Sequence, residues 1–386
     1  MHNALSVWID AQRVGTLARE GDQYVFSYAP GLSLQHSVSL TMPYRTQSYQ
    51  TRQLQPLFQM NLPEGYLRET LRHWLKKVYQ LDELNWLALL GADQIGRLAF
   101  SINDQPPQQA HISSEHLHTL LNEDHATLFK NLVDRYALHS GIAGVQPKVL
   151  LEIEGKASLP VGPYILKAWG PEFPELATNE FFCMEVVRRA GLSVMPYHIS
   201  NEGRFFITER FDVAAGKRLG FEDFCVLQGL GTEDKYWGSY ERATKTIKTY
   251  IAAPHQKDAL LSFFKALLIS VYLRNGDAHL KNFGVIYATP FEQVQLAPIY
   301  DMITTTVYIP EDIPALMMNG TKKWWSRESL MAFGQMHCQL RSSEAEAADA
   351  TVREAIAITR SAIQEYIHAH AHFETIGKRM LAEWQA

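Results

Sequence analysis

The stretch Asn275-Gly-Asp-Ala-His-Leu-Lys-Asn-Phe283, set directly after a long apolar run, constrains this chain more than any other. With Pro298-Ile-Tyr-Asp301 beyond it, Asp277, Asn282 and Asp301 give the order D-x-x-x-x-N … D. Phosphoryl-transfer sites use that order to place one base and two metal ligands. An Asp carboxylate accepts a hydroxyl proton. An Asn amide oxygen and a later carboxylate can hold Mg²⁺, which prefers hard oxygen ligands. Taken alone, the short motif fits equally well a polar helix-to-strand loop in which Asp277 and Asn282 only cap backbone groups.

The chain has 386 residues, room for two to three domains or subdomains. Its 46% hydrophobic and 20% charged content suits a sizeable core and excludes a disordered chain. A net charge of −5 argues against a protein that coats nucleic acid, while leaving room for a local basic patch. Cys183, Cys225 and Cys338 are far apart and odd in number, so neither a metal spacing nor a disulfide framework is present and a reducing compartment is expected. Met1 to Ser6 shows no signal-peptide pattern. The apolar run from Ala259 to Leu273 is too short to span a bilayer. The expectation is a cytoplasmic protein with no membrane contact.

Along the chain, residues 4–30 alternate as strands around the Glu20-Gly-Asp22 turn, and a further strand is expected over Val38 to Met42. Asn61-Leu-Pro-Glu-Gly65 leads into a helix from Tyr66 to Lys77; another, Leu81 to Leu90, stops at Gly91. This first unit reads as a small α+β packing or docking domain without chemistry. Residues 102–112 read as a linker, and a helical stretch follows from Ser114 to Asp134.

Gly141, Ile142, Ala143, Gly144 and Val145 precede a strand from Lys148 to Ile153. Small residues there let backbone N–H groups approach phosphate oxygens, although a hairpin turn explains the two glycines as well. The next strand, Pro163 to Trp169, carries Lys167 amid apolar residues, either reaching phosphates or snorkelling at the surface. Thr178 or Asn179 is expected to cap a helix that ends at Gly191. Glu180 on it is placed equally well to pair with Lys167 or to sit at the surface. Two more strands, Tyr197 to Ser200 and Arg204 to Arg210, run into Glu209-Arg-Phe-Asp212, a candidate hinge. There backbone groups suit an adenine edge and Asp212 a ribose hydroxyl. Beyond it the chain should be mostly helical. The loop 229–238 is a candidate for substrate contact, Asp258 for capping the apolar helix 259–273, and Ser343 with Glu346 for a capping box. Residues 303–327 read as a mobile docking loop. His368, His370 and His372 read as solvated.

In this order, the motifs resemble the HipA-type serine/threonine kinases, toxins of bacterial HipA–HipB pairs. The resemblance covers essentially the whole chain: Asn61 to Gly65, Gly91 to Gly96, Ile142 to Lys148, Ile165 to Lys167, Glu209 to Asp212, Gly276 to Asn282 and Tyr300-Asp301. It implies an α+β fold with two lobes, like protein and phosphoinositide kinases, a small N-terminal α+β subdomain and a mostly helical C-terminal lobe. The expected divisions are 1–105, 106–212 and 213–386. It further implies ATP- and Mg²⁺-dependent phosphorylation of a protein serine or threonine, with aminoacyl-tRNA synthetases as family targets, growth arrest, and a HipB-like helix-turn-helix antitoxin through which DNA is met. By position, Asp277 is the implied base, and Asn282 and Asp301 the Mg²⁺ ligands. Lys167 falls among phosphate contacts, Lys281 among cofactor contacts, His279 near the nucleotide, and Glu209, Phe211 and Asp212 along its base and ribose, with residues 141–145 as the Gly-rich loop. The family's self-phosphorylated serine position is Gly141 here, and Ser140 lies one residue earlier. A phosphate on Ser140 would repel ATP phosphates and pull the loop outward. Two alternatives stay open: a small-molecule or lipid kinase on the same scaffold, and a catalytically silent partner of a DNA-binding repressor.

Overall fold

The computed structural model describes residues 3–75, 82–91, 94–107, 114–137, 140, 146–154 and 162–384. The N-terminal sheet is antiparallel, with β1 (Ala4–Ile9), β2 (Gln12–Glu20), β3 (Gln23–Tyr28), β4 (Tyr49–Thr51) and β5 (Leu98–Ser101) in the order β4-β3-β2-β1-β5. The helices α1 (Pro56–Gln59), α2 (Gly65–Leu75) and α3 (Glu83–Leu90) lie between β4 and β5 in the chain. Alternation buries Leu5, Val7, Leu17 and Phe26 on one face. The expected strand over 38–42 does not form. Its amides go to side chains instead: Val38 donates to the Tyr28 hydroxyl at 2.8 Å and Leu40 to the Glu222 carboxylate at 2.8 Å.

A second sheet holds β6 (Glu115–His116), β7 (Lys148–Glu154), β8 (Gly162–Lys167), β9 (Tyr197–Ile199) and β10 (Phe206–Glu209), ordered β6-β7-β8-β10-β9. The stretch expected as one helix from Ser114 is β6 followed by α4 (Leu117–Asn122) and α5 (Ala126–Tyr136). The helix α6 (Leu176–Arg189) crosses between β8 and β9 in the chain. It starts earlier than its polar residues suggest, behind Glu175 in a left-handed conformation (φ 61°). Thr178 and Asn179 are therefore interior; the Asn179 amide exchanges two hydrogen bonds with the Thr304 backbone, both at 2.9 Å.

Past the ribbon β11 (Val213–Ala214) and β12 (Lys217–Arg218), strand β13 (Gly220–Asp223) leads into α7 (Phe224–Leu227), α8 (Tyr240–Tyr250) and α9 (Ala253–Tyr272). The hairpin β14 (Gly284–Tyr287) and β15 (Gln295–Leu296) pairs with β13 in the order β13-β14-β15. The helices α10 (Arg327–Met336), α11 (Ser342–Ala369) and α12 (Glu374–Glu383) complete the chain. Apolar nearly all round, α9 is buried from Ala259 to Tyr272 save for a few positions and centres the largest core. It begins five residues before the expected cap because Pro254 suits its first turn, so Asp258 is interior. On α11 the N-terminal carboxylate is Glu344, accepting from the Arg341 N–H at 2.9 Å, while Glu346 pairs with Arg327. Nor are all three C-terminal histidines merely solvated. His370 stacks on Tyr366 with centroids 3.8 Å apart, and His372 lies 3.3 Å from Glu175.

The N-terminal unit touches both other regions. Phe221, Val226 and Ala297 enter its core beside Phe26 and Phe58. Its own Leu67, Leu71 and Trp86 join the core under β7 and β8.

Candidate active site

One cleft of about 910 Å³ runs between the second sheet and the α9 region, and the N-terminal unit closes one side. Its size is that of a small-molecule or nucleotide site. Lys167, Glu209, Phe211, Asp212, Asp277, His279, Lys281, Asn282 and Asp301 all line it. Gly141, Ile142, Ala143, Gly144 and Val145 lie outside the described residues.

The floor begins where α9 ends. Arg274 turns the chain with φ 58°, a conformation that costs a side-chain-bearing residue energy and needs surrounding support. The support is local: the Arg274 carbonyl accepts from the Thr305 N–H and hydroxyl, both at 3.1 Å, and the Gly276 N–H donates to that hydroxyl at 2.8 Å. Gly276 leaves room for the Asp312 carboxylate, which a Cβ there would displace. The Asn275 side chain then accepts the Asp277 N–H at 3.0 Å and aims the next carboxylate into the cleft. Asn282 folds back to accept the His279 N–H at 3.0 Å. In this way, one tight turn brings Asp277, His279 and Asn282 together.

Asp277 accepts a 2.7 Å hydrogen bond from the Tyr236 hydroxyl. Burial pushes its carboxyl above the ordinary value, while the Tyr236 bond and Lys235 pull it down. His279 Nε2 stands 3.9 Å from Asp277, and its Nδ1 is buried without a partner. Burial, then the charges of Lys235 and Lys281, lowers the imidazole to about 3, so it is neutral at physiological pH.

The opposite wall is ionic. Lys148 on β7 sits directly across the ladder from Lys167 on β8. Like charges paired across strands repel, so an anion must lie over them. In this structure the anions are the protein's own. Lys167 Nζ is 2.5 Å from Glu180 Oε1 and also contacts Asp301 Oδ1. Burial works against both charges. Even so, Asp301 and Glu180 hold the ammonium above its usual range, and Lys167 with Lys148 hold Asp301 well below the carboxylate range. Glu180 retains an unpartnered buried oxygen, and burial raises its carboxyl. Lys148 is buried and its ammonium pushed down by desolvation. Asp301 adopts φ 55°, a second strained turn at the cleft.

At the hinge, Phe211 stacks on Tyr300 with centroids 5.4 Å apart. The Glu209 carboxylate accepts from the Tyr164 hydroxyl at 3.0 Å, and its N–H donates to Pro196 O at 3.0 Å. Asp212 has a structural task. It is buried, both carboxylate oxygens accept from Arg210 (3.0 and 2.6 Å), and one also accepts the Gly96 N–H at 2.7 Å. Its carboxylate fastens the hinge to the N-terminal unit at the edge of the cleft. Ser140 is fully buried. Its hydroxyl donates to Tyr136 O and accepts the Leu150 N–H, each at 2.8 Å.

Several charged residues of the cleft, Lys148, Glu64 and Asp223 among them, are not singled out by the sequence. Lys148 reads there as a strand start, though a lysine opening an apolar strand is a signal. Glu64 reaches in from the N-terminal unit and pairs with Lys281; the motif around it stands out in the sequence, its carboxylate does not.

As a test of fit, the donor set suits a nucleotide with a divalent ion. Lys148 has no ion-pair partner among the described residues and lies across the ladder from Lys167, and Asp301 and the Asn282 amide offer hard oxygens in the same cleft. The unpartnered oxygen of Glu180 and nitrogen of His279 are buried polar atoms of the kind a bound group satisfies.

A family model described as the HipA N-terminal domain matches residues 5–101, and one described as the HipA-like C-terminal domain matches residues 140–365. A protein of Sinorhizobium fredii named "Putative kinase Y4mE" is 30% identical over 347 residues, covering 83% of this chain and 81% of that protein. A second from the same organism, "Putative kinase Y4dM", is 27% identical over 298 residues, covering 69% and 66%. Among solved structures, the Shewanella oneidensis MR-1 toxin–antitoxin complex of HipA, HipB and operator DNA contains a chain of similar fold. It is 19% identical with a TM-score of 0.73, over 98% of this chain and 96% of that one. The fold is accordingly α+β and two-lobed, of the kinase-like HipA type.

Proposed function

The chain belongs to the HipA family, and we propose that it is an ATP- and Mg²⁺-dependent protein serine/threonine kinase acting as the toxin of a toxin–antitoxin pair. The observation that carries this reading is the convergence of Asp277, Asn282, Asp301 and Lys167 on one cleft. Asp277 is the base: it takes the proton of the acceptor hydroxyl as that oxygen bonds to the γ-phosphorus and ADP departs. Lys167 and Lys148 hold phosphate oxygens. Asn282 and Asp301 hold Mg²⁺, which when bound supplies positive charge to those oxygens. Neutral His279 faces the nucleotide without adding charge, Lys281 flanks the transferred phosphate, and Glu209 and Phe211 border the base. The protein substrate is a translation component such as an aminoacyl-tRNA synthetase, and its modification halts growth. A HipB-like helix-turn-helix antitoxin restrains the kinase and carries the contact with DNA, all in the cytoplasm. No helix among the described residues is long and apolar enough to cross a membrane.

Self-inactivation through Ser140 has a structural condition. Its hydroxyl is enclosed between Tyr136 O and the Leu150 N–H, so a phosphate is added only after that contact parts.

Incubation with γ-labelled ATP, Mg²⁺ and a cell lysate, followed by mass spectrometry, tests the reading, with Asp277→Ala as control. A labelled lysate protein absent from the control supports it. ATP consumption stimulated only by a metabolite extract would replace it with a small-molecule kinase. No turnover in the absence of any antitoxin would leave a silent subunit.

A further inference from the structure

The N-terminal unit contributes a charge to the cleft. Glu64 lies in the loop before α2, in a domain whose sheet is its own. Its Oε1 contacts Lys281 Nζ, and its Oε2 lies 3.5 Å from Lys235 Nζ. The three side chains are 15%, 10% and 14% exposed, so the cluster is nearly shut off from water. Burial favours the neutral acid, yet Lys281, Lys235 and Lys148 hold the carboxyl below its usual range.

Both lysines belong to segments that bear on Asp277. Lys281 sits between Asp277 and Asn282, and its carbonyl accepts from the Tyr300 hydroxyl, next to Asp301, at 2.7 Å. Lys235 precedes Tyr236, whose hydroxyl is on Asp277, and its carbonyl accepts the Leu280 N–H at 3.1 Å. The loop bearing Glu64 is fixed in turn. Gln59 accepts the Thr232 N–H at 3.1 Å and donates to Leu54 O at 2.6 Å. On the hinge side, Gly96 and Gln94 of the same domain bind Asp212 and Arg210 at 2.7 Å each.

Two ammonium groups near a carboxylate base are a hazard. Left alone they repel each other, and Lys235, whose charge already acts on Asp277 and whose neighbour Tyr236 is bonded to it, is placed to turn to that carboxylate, where an ammonium would take the place of the acceptor hydroxyl. From this we infer that Glu64 is a positioning residue for phosphoryl transfer: it holds Lys281 and Lys235 so that Asp277 stays open to the acceptor. The N-terminal domain is then part of the catalytic unit rather than a packing module. The inference rests on the kinase reading.

The test compares the full-length wild type with Glu64→Gln, Glu64→Asp and Lys281→Met, using labelled ATP and a generic acceptor protein. Glu64→Gln keeps the shape and removes the charge. Its kcat should fall roughly ten- to a hundredfold, the scale of a small misplacement near the reacting groups. KM for ATP should hold or fall, because an anion facing the triphosphate has gone. Calorimetric titration with a non-hydrolysable ATP analogue and Mg²⁺ should show equal or tighter binding, independently of turnover. Glu64→Asp should recover part of kcat. Glu64→Gln added to Lys281→Met should cost less than the product of the single losses. A merely structural role would instead weaken analogue binding and lower the melting temperature in proportion, and that pattern overturns the inference. Should Glu64→Gln not fold, Glu64→Ala carries the same test, and an Ala variant with unchanged kcat and KM overturns the inference equally. An active wild type whose Gln variant keeps its kcat overturns this inference alone; a wild type that transfers no phosphate overturns the kinase reading as well.

Discussion

Asp301 and Asp277 face the same cleft from opposite sides, with side chains 33% and 44% exposed, yet their acidities move in opposite directions. Exposure cannot separate them. The neighbours do. Asp301 has Lys167 in contact and Lys148 beyond it, so it stays charged at every working pH. Asp277 has a phenol and a neutral imidazole, and desolvation prevails. Two carboxylates pushed apart in this way have different work: the low one binds charge, the high one exchanges a proton. The ionic wall is thus built to hold anions and cations in place, and the floor to leave one basic oxygen uncommitted.

The largest expected effect breaks the floor. Asp277→Asn removes the base while keeping shape, and turnover should fall by about 10²–10⁴-fold, the usual contribution of general-base catalysis. Affinity for a non-hydrolysable ATP analogue, measured by calorimetry, should stay within a few-fold. If affinity collapses along with turnover, Asp277 is part of the ionic wall and the contrast is lost.

Within the wall, the two lysines should behave differently. Lys167→Met strands Glu180 and Asp301 without a bonded cation, and removing one partner of such a buried pair costs about 3–5 kcal/mol. Lys148 has no carboxylate within ion-pair distance among the described residues, so Lys148→Met trades a desolvated ammonium for an apolar chain. Its stability should change by about 1 kcal/mol or less, or improve. Urea unfolding measures both, and both should lose nucleotide affinity. Equal stability losses would show that Lys148 is a structural ion like its neighbour.

A smaller effect tests how the wall is joined to the segment before it. Ser140→Ala leaves the Leu150 N–H, on the strand that carries Lys148, without its acceptor. The loss should be about 1–3 kcal/mol, the cost of an unsatisfied buried donor. A neutral result would mean that the contact is not maintained in solution.

How far this site is legible in the sequence depends on the reach of each contact. Asp277, His279 and Asn282 are readable because one tight turn sets their geometry. The pairing of Lys167 with Glu180 is readable as an option because a strand and the following helix are near in sequence. Glu64 is not, since its contact with Lys281 spans 217 positions and exists only once two domains dock. The structural half of Asp212 is hidden for the same reason: its partner Gly96 arrives from the other domain. Caps fail on competition. Thr178, Asn179, Asp258 and Ser343 all carry capping chemistry, yet Asn179 finds the Thr304 backbone and Pro254 starts its helix early. The longer strands β1, β2, β3, β7 and β8 and the apolar α9 are readable because their patterns repeat over many residues and no single polar contact outweighs them.

The finest test of the contrast is Tyr236→Phe. The phenol donates to the ionised form of Asp277 and so lowers its pKa against burial. Removing that one hydroxyl leaves burial less opposed, and the carboxyl should rise further. A base works only when ionised, so kcat falls as pH drops through its pKa. The acid limb of the kcat profile should therefore move to higher pH, by about one unit or less for the loss of a single hydrogen bond. The ring, edge-on to His279 with centroids 5.1 Å apart, keeps its packing. At pH well above the limb the variant should match or exceed the wild type, because the phenol no longer competes with the acceptor hydroxyl for Asp277. Asp301, locked by Lys167, contributes nothing to this limb. A limb that stays in place would mean that the proton is taken elsewhere, and the assignment of opposite tasks to the two carboxylates would fail with it.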